Sequence, residues 1–97
     1  MGKQFLDQYS ILHFATGNIA YFWGFGVLEL LIGHISFEFL ENTEAGMKFI
    51  NENLTWWPGK KVRADDFVNI LGDNVSAVAG WYFAKYLDEK GKRESWY

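Results

Sequence analysis

At 97 residues, with a net charge of −3 and no cysteine, the chain is the size of one domain, and disulfides, thiolate metal sites and cysteine nucleophiles are excluded. Apolar types make up 49%, aromatics 20% and charged types 22%, and the acidic balance lacks the basic footprint of a dedicated nucleic-acid binder. Mean hydropathy is only −0.11, an average that hides how unevenly the charges fall.

After Lys3 and Asp7 the next Asp, Glu, Lys or Arg is Glu29, so residues 8–28 are twenty-one positions without such a charge. The apolar run resumes past Glu29 as Leu30, Leu31 and Ile32, then Ile35, Phe37, Phe39 and Leu40. It neither alternates nor shows a clean polar stripe, which predicts a helix over about 10–40, apolar on nearly all sides, in lipid or in a buried core. At 1.5 Å per residue, roughly 20 residues cross a bilayer core about 30 Å thick. Gly17 and Gly24, like Gly26 and Gly33, are seven apart, near one face where another helix can approach. The segment is too long for a signal-peptide core and lacks a basic leader, and Leu6 stands where a myristoylation motif has Ser or Thr.

Residues 43–60 read as an interfacial segment. Asn42 or Thr43 caps a short helix in which Met47, Ile50 and Leu54 form one apolar stripe, with Lys48, Asn51 and Glu52 on the wetter side. Trp56 and Trp57 are expected as interface anchors, as is Trp96 near the end of the chain, because an indole has an apolar body and a polar N–H. Pro58 and Gly59 break the chain.

A second helix is expected over about 65–87, with Asp65 as N-cap and Asp66 in the first turn. From Phe67 to Ala84 the only charge is Asp73, and Gly72, Ser76, Gly80 and Ala84 recur every four residues as a ridge for close helix packing. Residues 88–97 read as a polar tail. Fold and domain organisation follow: a single all-α membrane unit over 1–97, a two-helix transmembrane hairpin with a short interfacial helix between. Lys48, Lys60, Lys61 and Arg63 in the middle, against Lys3, Lys85, Lys90, Lys92 and Arg93 in the tails, lean toward both termini being cytoplasmic. Asn53-Leu54-Thr55 matches a glycosylation triplet usable only if the middle segment is lumenal, whereas Asn74-Val75-Ser76 lies inside the second helix.

Polar residues concentrate where the two helices would meet. His34 and Glu38 share a face, Glu41 and Asn42 follow, and the second helix offers Asp66, Asn69 and Asp73, with Asn74 adjoining. Turned back on itself, the chain brings its Glu41 end near its Asp66 end. The leading interpretation is an interhelical polar network of His34, Glu38, Glu41, Asn42, Asp66, Asn69 and Asp73. A metal site would draw on His34, Glu38, Glu41 and Asp73, and an acid/base enzyme on Glu38, Glu41, Asp66 and Asp73. No metal or cofactor is expected. His13 stands twenty-one residues before His34, about 30 Å along a continuous helix, so the two are not expected to share a site. Glu29 should face a partner helix, a polar cavity or headgroups. No P-loop, dinucleotide fingerprint, nucleophile elbow or calcium loop is present.

Phe37-Glu38-Phe39-Leu40-Glu41-Asn42 resembles a Trp/Phe-Glu-x-x-Glu-Asn helix end, and Asp65-Asp66-Phe67-Val68-Asn69-Ile70-Leu71-Gly72-Asp73 resembles an Asp-Ser-x-x-Asn-x-x-Gly-Asp helix start. Together, over roughly residues 30–85, they are similar to small polytopic VanZ-like membrane proteins. The resemblance implies a membrane setting and marks Glu38, Glu41, Asn42, Asp66, Asn69 and Asp73 as matching positions, with Asp66 where the pattern prefers Ser.

The function expected from these features is a small integral membrane subunit that anchors or spaces partners, in the lipid bilayer and against other subunits or further copies, with no nucleic acid. A multisubunit membrane complex or a viral capsid–membrane assembly in a virion is the setting such a reduced unit suits. Two other readings stand beside it: a membrane enzyme or metal-dependent binder, which requires an accessible polar cavity, and a soluble helical domain with a buried polar network.

Overall fold

The computed structural model describes residues 3–54, 56–57 and 64–96, and among them all regular structure is helical. Four helices follow in chain order: α1 Ser10–Phe22, α2 Val27–Glu41, α3 Glu44–Asn53 and α4 Phe67–Arg93.

The continuous first helix expected over 10–40 is broken in two, and the cause is local. Gly24 takes φ +90°, a left-handed conformation that glycine adopts without Cβ strain. The Gly24 N–H then donates to the Tyr21 carbonyl and the Phe25 N–H to the Ala20 carbonyl, both at 3.0 Å. That paired return of N–H groups to the last turn is the Schellman arrangement that ends helices. Gly26 then serves as N-cap of α2, and Trp81 Nε1 on α4 pins the turn by donating to the Phe25 carbonyl at 2.8 Å.

The break reverses the chain. α1 runs parallel to α4 and packs mainly on it, with Asn69 Nδ2 donating to the Gln4 carbonyl at one end and Tyr21 Oη donating to Asp88 Oδ2 at the other. α2 runs antiparallel to both: His34 meets Asn74, and the Asp65 N–H donates to Asn42 Oδ1 at 2.7 Å. The Glu41 end thus lies beside the start of α4, as expected. The small-residue ridge Gly72, Ser76, Gly80 and Ala84 is buried, and the element it admits is α1 with its leading segment: backbone carbonyls of Phe5 and Phe14 press on Gly72 and Gly80, and Ala77 presses on Gly17. The seven-residue glycine spacing is not one packing face, since Gly24 makes the turn and Gly33 faces open space.

Thr43 caps α3, its Oγ1 accepting from the Gly46 N–H at 3.1 Å, a contact worth about 1 kcal/mol. Met47, Ile50 and Leu54 are half-buried while Lys48 and Glu52 are exposed. α3 packs on α2, and Trp57 lies against Phe37 with ring centroids 5.6 Å apart. Pro58, Gly59, Lys60, Lys61, Arg63, Thr55 and Tyr97 lie outside the described residues.

α4 begins one residue later than expected, with Asp66 as N-cap, and continues to Arg93. The polar tail expected from residue 88 is therefore helical for six residues. Lys85–Glu89, Lys92–Asp88 and Lys90–Glu94 pair at i, i+4 over 3.2–4.0 Å, and Gly91 is buried within the helix without ending it. Among the described residues no helix is long and apolar enough to cross a membrane. α1 and α2 are about 20 and 22 Å long, and α4 has the length but carries too many polar residues. Among the described residues the fold is therefore all-helical with four helices, and the two-helix transmembrane hairpin expected from the sequence is unsupported.

Candidate functional site

The interior is inverted relative to a water-soluble bundle. Among the described residues the buried apolar side chains are Ala20, Leu30, Ala77 and Ala84, whereas the buried polar ones are His34, Glu38, Glu41, Asn69, Asp73 and Ser76. Large apolar side chains face outward on every long helix, including Ile11 on α1, Leu28 and Phe39 on α2 and Phe67 on α4.

At the centre is a pair the linear spacing had separated. His13 Nδ1 stands 2.9 Å from His34 Nε2, with the rings edge to face. Folding back at Gly24 accomplishes this, because α2 retraces the path of α1. Glu38 Oε1 lies 3.8 Å from His13 Nδ1 and 4.0 Å from His34 Nε2. His13 Nε2 faces Asp73 Oδ2 at 3.3 Å. His34 Nδ1 bonds Asn74 Oδ1 at 2.8 Å, and Asn74 Nδ2 donates to the Ile70 carbonyl at 2.9 Å, which orients the amide. His13, His34 and Glu38 each offer a ligand atom within 4.8 Å of the others, and Glu38, Glu41 and Asp65 do the same one step along α2.

The polar positions named from the sequence divide accordingly. His34, Glu38, Glu41 and Asp73 are buried, and Asn42 joins them through Asp65 and the Glu38 carbonyl, to which its Nδ2 donates at 2.7 Å. Asp66 is exposed at the cap of α4 and takes no part; Asp65, half-buried, occupies the place given to it. The expected acid/base set and polar network therefore lose Asp66, and the histidine pair draws in His13. Asn69 is 1% exposed but faces the leading segment, donating to the Gln4 carbonyl and to Asp7 Oδ2. Among the expected anchors, Trp56 and Trp96 are exposed and Trp57 is half-buried against Phe37.

A cavity of about 660 Å³ opens beside the cluster between α1 and α2. Leu12, Ile19, Leu30, Phe37 and Trp57 give it mainly apolar walls, and His13, His34, Glu29 and Glu41 are among the polar residues that line it. Glu29 is exposed at the edge of this mainly apolar cavity, not in the polar cavity expected as one of its surroundings. The signal missed in the sequence was Trp23-Gly24: a glycine followed by a second N-cap glycine, Gly26, is a helix stop and restart. Comparison with family models, curated proteins and solved structures finds no match to this chain.

Proposed function

We propose that this chain is a small membrane-embedded protein whose polar interior is a binding or acid/base site at the head of an apolar cavity. The observation that carries the reading is the inverted polarity: carboxylates, amides and imidazoles enclosed, and most of the large Ile, Leu, Phe and Trp side chains exposed. In water such an exterior is an association hazard, whereas lipid is as apolar as leucine and solvates it at no cost. Enclosed polar groups are in turn what a lipid setting demands. The long axis of 47 Å is comparable to a bilayer with its headgroup regions, about 40–45 Å. The unit enters lipid as a packed three-helix assembly, with α1 and α2 each too short to cross alone and α4 shielded by both.

The cavity favours a working site over a purely structural network, since Glu41 and the two histidines reach its wall. A structural subunit that anchors partners is the second reading, supported by exposed Trp56 and Trp96, 72% and 56% accessible. Carbonate extraction of native membranes tests the bilayer reading. The chain should stay with the pelleted membranes, and release into the supernatant would overturn it.

A further inference from the structure

We propose that His13 Nδ1, His34 Nε2 and Glu38 Oε1 form a three-ligand site for one divalent transition-metal ion of the zinc class. The inference deepens the reading of the interior as a working site and is independent of whether that interior sits in lipid.

The outer bonds of the two imidazoles set their inner nitrogens. Asn74 Oδ1 can only accept, and its amide is held in that orientation by the Ile70 carbonyl, so His34 Nδ1 carries the proton. With its Nδ1 proton engaged there, His34 turns Nε2 toward His13. The Asp73 carboxylate, 3.3 Å from His13 Nε2, favours a proton there and leaves a lone pair at His13 Nδ1. Those two inner nitrogens face each other at 2.9 Å. Two ring nitrogens that close need either a proton between them, donated or shared, or a metal ion.

The third group distinguishes the two. Glu38 Oε1 stands 3.8 and 4.0 Å from the same nitrogens, beyond hydrogen-bond reach of either. In a tetrahedral zinc site, with ligands about 2.0–2.2 Å from the metal, neighbouring ligand atoms lie roughly 3.3 Å apart. Edges of 2.9, 3.8 and 4.0 Å bracket that separation and close onto it with small side-chain movements. The outer shell also has the chemistry of a metal centre: each imidazole gives its far N–H to a carbonyl or carboxylate that orients it. Because both histidines line the cavity, the fourth coordination position opens toward it, available to water or to a ligand.

Full-length protein in mild detergent, stripped with chelator and titrated with zinc, should bind one ion per chain. His13→Ala and His34→Ala should each lower the affinity at least 100-fold. Asn74→Ala keeps all three ligands and removes only the acceptor behind His34; it should weaken binding about 10- to 100-fold with helix content by circular dichroism unchanged. Cobalt in place of zinc should give the intense visible bands of a tetrahedral site in the wild type. Failure of the wild type to bind either ion, or zinc affinity unchanged in His34→Ala or in Asn74→Ala, overturns the assignment and leaves a proton shared by the histidines. The titration reads the ligand set and carbonate extraction reads the bilayer, so failure of either leaves the other interpretable.

Discussion

Gly80 and Gly33 are both mid-helix glycines, and their surroundings make them opposites. A Cβ on Gly80 would run into the backbone carbonyl of Phe14, which cannot swing aside, whereas one on Gly33 meets nothing within 4 Å. Gly80→Ala should therefore separate α1 from α4 and lose about 1–3 kcal/mol, a cost typical of overpacking. Gly33→Ala should be neutral or stabilising by about 0.4–1 kcal/mol, since it removes only unfolded-state freedom. Thermal unfolding in detergent checks both, and equal effects would show that the ridge does not govern packing. The ridge was legible in the sequence because small residues recurring every four positions mark one helix face that another backbone can approach closely. Which segment lay on it was not legible, because α1 and α2 are both apolar and glycine-bearing.

The elements depend on one turn. Gly24 at φ +90° lets α1 stop and α2 start, and any residue with a Cβ in that conformation is strained by roughly 1–2 kcal/mol. Gly24→Ala should lower stability by that amount and also weaken contact between His13 and His34, which meet only because α2 doubles back along α1. Imidazole chemical shifts or zinc affinity would register the second effect; a variant with wild-type stability and an intact histidine pair would contradict the account. By contrast, the cap of α3 was readable to within two neighbouring candidates, Asn42 and Thr43, of which Thr43 accepts the bond. The end of α4 was misjudged because a charged stretch without local pairing looks like a tail, and here Asp88, Glu89 and Glu94 pair with lysines one turn away.

At the scale of the molecule, polarity is distributed inside out, and this sets how the whole should respond to charge. Ile32 and Phe39 on α2 are 61% and 72% exposed, away from the histidine cluster. If they face lipid, Ile32→Lys together with Phe39→Lys should release the chain from carbonate-washed membranes, because each buried charge costs a few kcal/mol in the bilayer core. The same pair of changes in a water-soluble bundle should leave it folded and more soluble. Density-gradient fractionation separates the two outcomes, and unaltered membrane retention would count against lipid at that face.

The sequence by itself determined that the chain is helical, that its small residues line one ridge of α4, and that carboxylates and amides gather where α2 ends and α4 begins. Those features rest on propensity, spacing and caps, which act over a few residues. Only the tertiary structure decided that the first apolar run is two helices, that α1 lies parallel to α4, and that His13 reaches His34 and Glu38. Those outcomes come from contacts between residues twenty to seventy positions apart. Such contacts depend on how two or more surfaces fit together, which no local pattern encodes.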